Sequence, residues 1–275
     1  MSGILYLVAT PIGNLEDITF RAINILKEVD LIAAEDTRHT LKLLNHYEIS
    51  KPLISYHRHN EEIKVDGLIE NLKEGQNIAV VSDAGTPAIC DPGEVIVKEA
   101  LKENIKVVPI PGACAFVNAI IASGLDTKEF VFYGFLSINK KLRKEKLEQI
   151  EKENKTIILY EAPHKLKNTL EDLKEILEDR KIVIARELTK IHEEFIKGTA
   201  KEILEKYTEP KGEHIILIEA NPIKQEDEEK LKINNMTIEE HYKYYEEQGF
   251  SKNEIIKKIA KDKGVTKNEI YKLFI

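Results

Sequence analysis

Residues 78–93 read IAVVSDAGTPAICDPG, and they join a short apolar run to a loop rich in glycine and proline. The run at 78–82 has the length and composition of a buried strand. The loop at 82–87 exposes backbone amides and carbonyls without bulky side chains, so a ligand can approach it closely. A helical pattern follows at 93–102. Strand, loop and helix in this order predict one unit of an α/β fold, with a ligand at the carboxyl end of the strand.

The same unit recurs along the chain, and its recurrence determines the fold class. Short apolar runs alternate with amphipathic segments, which is typical of an α/β protein with a largely parallel sheet. The predicted strands are 4–9, 31–34, 78–82, 107–110, 130–133, 156–160, 182–185 and 214–219. The predicted helices among them are 18–28, 38–46, 61–73, 93–102, 115–123, 141–153 and 164–177.

Changes in composition predict three domains. A basic segment at 134–144 follows one strand, so we place an N-terminal α/β domain at 1–120 and a second α/β domain at 121–222. After an acidic run at 226–229 the pattern is purely helical, with predicted helices at 238–248, 252–263 and 267–274. Residues 223–275 are therefore predicted to be a linker followed by a small module resembling a helix-turn-helix.

Composition and charge narrow the class of protein. The chain has 275 residues, 42% hydrophobic and 32% charged, with a net charge of −7, which argues against coating of nucleic acid by bulk charge. Two segments are basic nonetheless: 250–275 has seven lysines against three acids, and 137–147 has five basic residues against one acid. The net charge of the whole chain therefore does not exclude a local basic surface.

Targeting signals and cysteine usage predict a cytoplasmic protein. The start of the chain has no basic segment ahead of an apolar stretch, and no run approaches the ~20 apolar residues of a membrane span. Cys90 and Cys114 form no CxxC pair, and we expect both to be buried, reduced thiols.

Two further loops share the character of 82–87. Residues 10–14 follow the first strand, and residues 109–113 carry a second Pro-Gly step. Neither contains GxxxxGK[ST] or GxGxxG, so a P-loop nucleotidase and a dinucleotide-binding Rossmann site are unlikely functions. Three such loops at strand ends favour one ligand cleft.

Four dense polar segments accompany these loops, at 35–38, 55–61, 160–164 and 186–190. His57 and His59 would share one face of an extended segment, and Glu61 or Asp36 could join them around a metal ion. No third ligand has convincing spacing, so we predict no metal site. The structural alternative for 35–38 is a helix start with acids in its first turn, and for 60–62 it is a helix N-cap. For the polar residues as a group, the alternative is a salt-bridge network that only shapes the cleft.

Together these residues resemble the tetrapyrrole-methylase superfamily of S-adenosylmethionine (SAM) methyltransferases, and within it most closely the 16S rRNA cytidine 2′-O-methyltransferases. The motifs that carry the resemblance lie at 7–15, 34–38, 55–61, 81–87, 91–93, 134–136, 160–164 and 186–190. Porphyrin-modifying relatives typically have a glycine-proline-glycine turn in the first loop. Here it reads Thr10-Pro11-Ile12-Gly13, which argues against a tetrapyrrole substrate.

The resemblance implies a two-domain fold with SAM in a cleft between the domains, usually in a homodimer. It implies methyl transfer to the ribose of a cytidine in 16S rRNA of the small ribosomal subunit, cytidine 1402 in the family. By the same resemblance the residues that meet SAM are Pro11, Asp83, Ala84, Gly85, Thr86 and Pro87, with Ala115 and Phe116 on the methionine side and Phe135, Ala162, Pro163 and His214 on the adenosine side.

A ribose 2′-OH is a poor nucleophile, so a general base or an ordering hydrogen bond should assist the transfer. The candidate catalytic residues are Asp36, Arg38, His57, Glu61 and Glu187, and the sequence leaves Glu35 and Lys190 open as well. Arg38, Arg58 and Arg186 could anchor phosphates or the ribose. We expect 35–38 and 57–61 to line the acceptor side.

Other functions remain open from the residues. A tetrapyrrole methyltransferase would use the same cleft, but it predicts no basic helical tail. A non-catalytic RNA-binding protein predicts degenerate loops, whereas the three loops here are intact. In the tail, Ser251 and Thr266 are predicted helix N-caps. A packed helical hairpin and a dimerisation arm are alternatives there, and the resemblance favours RNA contact.

Overall fold

The computed structural model describes residues 2–177, 179–207, 211–221, 233 and 235–273. The chain divides into two compact units, Met1–Ala220 and Asn221–Ile275. Within the described residues, no helix has both the length and the apolar composition required to cross a bilayer.

The first unit contains two five-stranded sheets. The first sheet is formed by β1 (Ile4–Val8), β2 (Leu31–Ala34), β3 (Leu53–Ser55), β4 (Ile78–Val81) and β5 (Lys106–Ile110), in the order β3-β2-β4-β1-β5. All four of its ladders are parallel. The second sheet is formed by β6 (Phe130–Phe135), β7 (Thr156–Glu161), β8 (Ile182–Arg186), β9 (Glu194–Gly198) and β10 (His214–Ile218), in the order β6-β7-β10-β8-β9.

Helices connect most of these strands. The helices of this unit are α1 (Phe20–Glu28), α2 (Thr37–His46), α3 (Glu61–Lys73), α4 (Glu94–Lys102), α5 (Ala115–Ser123), α6 (Lys140–Lys152), α7 (Pro163–Ile176) and α8 (Ala200–Lys206). A short 3₁₀ helix spans Leu15–Asp17. In the second unit the described helices are α9 (Ile238–Glu247), α10 (Lys252–Asp262) and α11 (Lys267–Tyr271).

The first sheet is apolar on both faces. Along β4, Ile78 and Val80 pack into the cluster on one face, while Ala79 and Val81 pack into the cluster on the other. Helices cover both faces of such a sheet, which is why its strands read as unbroken apolar runs. β4 and β1 are central neighbours, so the loops at their carboxyl ends leave the sheet side by side.

The α/β fold class is confirmed, but the expectation of a largely parallel sheet is wrong for the second half of the chain. There β6 and β7 pair in parallel, while β10 pairs antiparallel with both β7 and β8, and β9 pairs antiparallel with β8. β10 is buried throughout and β8 over its first four residues, so their composition resembles that of parallel strands. The last strand, β10, lies between β7 and β8 and runs antiparallel to both of them. The direction of these strands therefore depends on the tertiary arrangement and cannot be read from their composition.

Among the described elements, the sequence analysis did not predict β3, β9, α8 or the short 3₁₀ helix. β3 has three half-buried residues, and β9, at the sheet edge, has no fully buried residue and no regular alternation of polar and apolar residues. α8 has only seven residues, although its capping box of Thr199 and Glu202 was readable. The predicted division at residue 120 stays a prediction, and the predicted linker falls largely outside the described residues.

The described helices of the second unit, α9, α10 and α11, share a core of their own. Tyr245, Ile256 and Ile259 are among its buried side chains. Ser251 and Thr266 cap α10 and α11 in capping boxes, as predicted. The third helix ends at Tyr271, and the predicted end at 274 lies outside the described residues.

Candidate active site

A cavity of about 420 Å³ lies between the strand-end loops of the first sheet and the face of the second sheet. Its volume is typical of a small-molecule site. The first half of the chain contributes Ile12, Glu35, Asp83, Ala84, Gly85, Thr86, Ile89, Cys90, Asp91, Cys114 and Ala115. The second half contributes Phe135, Tyr160, Glu161, Ala162, Pro163, Ala185, Leu188, Glu213, His214 and Ile215.

Backbone pairing brings the three glycine-rich loops together. Thr10 N donates to Gly85 O at 2.9 Å, and Gly85 N donates to Thr10 O at 3.0 Å. Thr86 Oγ1 donates to Ala113 O at 3.1 Å, which attaches the third loop. Gly85 has a φ of +84°, and a Cβ there would lie 3.2 Å from Ile12 Cγ2. Glycine thus allows both the turn and its close packing.

Three carboxylates from the loops after β2 and β4 form an acidic wall, which comprises Glu35, Asp83 and Asp91. Asp83 N donates to Glu35 Oε2 at 3.2 Å, so the first two are fixed relative to each other. Burial, and then the charge of Glu35, raise the pKa of Asp91 to about 6, against the opposing effect of Arg58. Arg58 also donates to the Cys90 carbonyl and so holds the loop that carries Asp91. Near pH 7 this wall is negative.

A bulge in β6 shapes the opposite wall. The register of β6 on β7 shifts between Phe132 and Gly134. Gly134 has a φ of +63°, and a Cβ there would lie 2.8 Å from Cys90 Sγ. Phe135 follows, 56% exposed, with its ring in edge contact with Tyr160. Glycine at the bulge therefore lets Cys90 of the first half approach the second sheet.

His214 and Glu161 fix the remaining wall. Burial, and next the positive charge of Arg186, lower the pKa of His214 to about 4, so its imidazole is neutral near pH 7. Its Nε2 lies 2.8 Å from the Tyr207 hydroxyl. Glu161 accepts from Ala162 N at 2.9 Å and from the Thr169 hydroxyl at 2.5 Å. These bonds fix the start of α7 beside the cavity.

Most of the residues assigned to SAM by resemblance line this cavity. They are Asp83, Ala84, Gly85, Thr86, Ala115, Phe135, Ala162, Pro163 and His214. Pro87 and Phe116 are absent from the lining, and the ring of Phe116 stacks on Phe132 with centroids 4.7 Å apart. Pro11 lines a separate cavity that also borders Asp83.

The candidate catalytic residues Asp36, Arg38, His57, Glu61 and Glu187 do not line the cavity; of the acids proposed as bases, Glu35 does. Hydrogen bonding to Arg38 lowers the pKa of Asp36 to about 2.

Several of these residues lie one hydrogen bond behind the cavity lining. Asp36 N donates to Asp83 Oδ1 at 3.0 Å, and Glu213 N donates to Glu187 Oε1 at 2.9 Å. Lys190 Nζ pairs with the same Glu187 oxygen at 2.9 Å.

The other polar candidates have local partners. Gly93 N donates to Glu61 Oε2 at 3.4 Å, and His57 N donates to Asn60 Oδ1 at 2.8 Å. Arg186 donates to Lys211 O at 2.9 Å and pairs with Glu194 at 3.3 Å. In the part of the chain that the structure describes, no group of three or more His, Cys, Asp or Glu side chains is arranged to hold a metal ion.

Sequence reasoning missed part of the lining. Asp91 was noted within a motif but given no role, and both cysteines were expected to be buried. Cys90 and Cys114 are instead half-buried and line the cavity. The sequence signal that could have indicated these lining residues is the Asp91-Pro92-Gly93 turn. The chain bends sharply just before this turn, where Ala88 and Cys90 have positive φ angles of 66° and 62°.

Comparison with known proteins identifies the family. The sequence profile of the tetrapyrrole (corrin/porphyrin) methylases matches residues 4–204. Ribosomal RNA small subunit methyltransferase I of Halalkalibacterium halodurans is 52% identical over 274 residues, covering 99% of this chain and 94% of that protein. The protein of the same name in Bacillus subtilis is 52% identical over 271 residues, covering 98% and 93%.

Solved structures show the same fold. Diphthine synthase superposes with a TM-score of 0.62 at 15% identity, covering 82% of this chain and 94% of that chain. Uroporphyrin-III-C-methyltransferase from Thermus thermophilus gives 0.55 at 16%, covering 80% and 93%. The resemblance noted from the motifs is confirmed: the chain belongs to the tetrapyrrole methylases and, within them, to the ribosomal RNA small subunit methyltransferase I family.

Proposed function

We propose that this protein transfers the methyl group of SAM to the ribose 2′-OH of a cytidine in 16S rRNA, within the small ribosomal subunit in the cytoplasm, at the family's cytidine 1402. The observation that carries the proposal is the 420 Å³ cavity, which unites the glycine-rich loops, the acidic wall and an apolar wall.

The chemistry of the lining suits SAM. The acidic wall complements the positive sulfonium and amino groups, while the apolar side chains of Ile12, Leu188 and Ile215 suit the adenosine part. His214 is neutral near pH 7 and adds no opposing charge. SAM, when bound, supplies an electrophilic methyl group. The chain's residues then have to bind and orient the two reactants and exclude water.

The candidate catalytic residues fit a supporting role best. The backbone amide of Asp36 donates to Asp83, and its carboxylate caps the start of α2 and pairs with Arg38. The Glu187 carboxylate accepts from Glu213 N, so both side chains support the acceptor side of the cavity from behind. Among the bases left open, we favour Glu35 because it lines the cavity. Its carboxylate also accepts the Asp83 amide, which fixes its direction.

The direct test is methyl transfer from labelled SAM to 30S subunits, naked rRNA and a porphyrin precursor. We expect label in the 16S rRNA of the wild-type reaction, within an alkali-resistant dinucleotide, because a 2′-O-methyl group removes the hydroxyl that attacks the phosphodiester. Label on a base or on the porphyrin would contradict the proposal.

The same methyl-transfer assay tests variants of the supporting residues. Alanine at Asp36, His57 or Glu187 should lower the transfer rate at least about tenfold, the scale of general acid–base and positioning effects. Lys102→Ala, a change on the exposed face of α4, serves as the surface control. Wild-type rates in all three variants would reject their assignment to the acceptor side.

Asp91 should make SAM binding depend on pH. Its carboxyl has a raised pKa of about 6, so it is largely protonated at pH 5 and ionised at pH 7.5. The loss of one negative charge from the cavity should weaken the binding of the SAM cation at pH 5 by up to about tenfold. Calorimetry on Asp91→Asn should show weaker binding at pH 7.5 and a nearly flat profile. An unchanged profile in the variant would exclude Asp91 as the titrating group.

The helical module is proposed to contact the RNA. Lys257 and Lys261 lie one turn apart on α10 with exposed side chains, whereas Lys258 packs over the Phe250 ring at 4.2 Å. Charge reversal of Lys257 and Lys261 together should weaken RNA binding about tenfold or more and flatten its salt dependence, with SAM affinity unchanged. Lys243→Glu on α9 is the matched control. Equal RNA affinity of the double variant and the control would refute the contact.

The family resemblance also implies a homodimer, and α5 offers a surface for it. Val117 and Ile121 are 42% and 67% exposed one turn apart, and Phe116, the residue before Val117, contacts the 40% exposed Phe130. We propose that a second copy covers this apolar face. Sedimentation should give twice the 31.5 kDa chain mass, and Ile121→Lys should shift it towards the monomer while Leu101→Lys does not. A monomeric wild-type protein would disprove the dimer.

A further inference from the structure

A second cavity, of about 260 Å³, adjoins the first at Asp83. Thr10, Pro11 and Gly13, from the loop after β1, form one side of it. His39 and Lys42 of α2 form the other side. Asp83 belongs to the lining of both cavities, so the two spaces meet at this residue.

The side chains of α2 make this cavity basic at its outer side. His39 and Lys42 are three residues apart, so they lie on the same face of the helix. Both are exposed, and neither has an ion pair or side-chain hydrogen bond with another described residue. Arg38 is close by, but its guanidinium is paired with Asp36 at 2.8 Å. Lys42 is therefore the cation of this face whose charge is not compensated by a described partner.

The side of the second cavity opposite α2 is formed by the loop after β1. A Cβ at Gly13 would lie 2.5 Å from Lys190 Cγ, so a larger residue there would displace the lysine stem. The Thr10 hydroxyl is already used, since it donates to Ser82 O at 3.1 Å. The loop after β1 therefore contributes the shape of the second cavity, and α2 contributes the side chains that can bind a polar ligand.

We propose that the second cavity receives the acceptor nucleotide of single-stranded RNA, and that Lys42 and His39 bind the phosphates that flank its ribose. This inference rests on the proposed function and deepens it. The attacking oxygen must come within about 3–3.5 Å of the methyl carbon, so the acceptor ribose has to lie at a border of the SAM cavity. The two cavities share such a border at Asp83.

Charge complementarity supports the same assignment. The acidic wall of the first cavity repels phosphate and attracts the sulfonium cation. Phosphates of a bound RNA strand therefore need cations placed outside that wall. Lys42 and His39 supply donors there, on a rigid helix whose start is fixed by the Asp36 cap on Arg38 N at 2.8 Å.

The test compares Lys42→Gln and His39→Gln with Lys27→Gln, an exposed lysine in the last turn of α1. Methyl transfer to 30S subunits is measured at several salt concentrations, and SAM binding is measured by calorimetry. We expect the KM for the subunit to rise about five- to tenfold in the Lys42 variant and about threefold or more in the His39 variant. The kcat and the SAM affinity should stay within twofold, and the salt slope of the Lys42 variant should fall by about 1.

Each other outcome overturns the inference. KM values equal to that of the Lys27 control would show that no phosphate is bound at α2. Weaker SAM binding in the Lys42 variant would make this cavity part of the donor site. Wild-type protein that transfers no methyl group to the subunit would refute the proposed function itself, and the inference with it, whereas an active wild type with unaffected variants refutes the inference alone.

Discussion

The two backbone hydrogen bonds between Thr10 and Gly85 are the constraint on which the site depends. They pair the loops that leave the two central strands, β1 and β4, in a short antiparallel bridge beyond the end of a parallel sheet. Without that pairing, two flexible glycine-rich segments would have to be ordered by the ligand at an entropic cost. With it, the lining around Asp83 and Ile12 is arranged before any ligand arrives.

A second consequence of this geometry is the separation of charge. Glu35, Asp83 and Asp91 come from the loops after β2 and β4, and they converge because these strands are neighbours in the sheet. The nearby cations either pair with other groups, as Arg38 does with Asp36, or lie on α2 beyond the acidic wall. The acidic wall of the cavity and a neighbouring surface with basic side chains therefore lie side by side in the same half of the chain.

Sequence reasoning succeeded where the determining pattern is local. The strands of the first sheet, apart from β3, are found within about one residue because each is an apolar run ended by a turn. The helices α3 and α5 are found with their observed bounds for a similar reason. The glycine-rich loops were also readable, whereas the family resemblance supplied the nine SAM-assigned residues that line the cavity.

What could not be read from the sequence depends on tertiary arrangement. Antiparallel insertion of β10 between β7 and β8 leaves no trace in the composition of a fully buried strand. Glu35 and Asp36 are adjacent and chemically alike, yet the first lines the cavity and the second caps α2. The difference between the two residues follows from the position at which α2 begins, because Asp36 is its N-cap. The pKa of Asp91 is raised because the fold buries its carboxyl and brings the charge of Glu35 close to it from a separate loop.

The acidic wall bears on the whole catalytic cycle under the proposed function. Loss of the methyl group converts a sulfonium cation into a neutral thioether, so the attraction between the wall and the sulfur disappears with the reaction. The same carboxylates that favour the donor therefore do not hold the product by charge. The half-exposed Phe135 leaves that side of the cavity accessible to solvent. An acidic cavity thus favours exchange of the spent cofactor, a benefit that a neutral cavity of the same shape would lack.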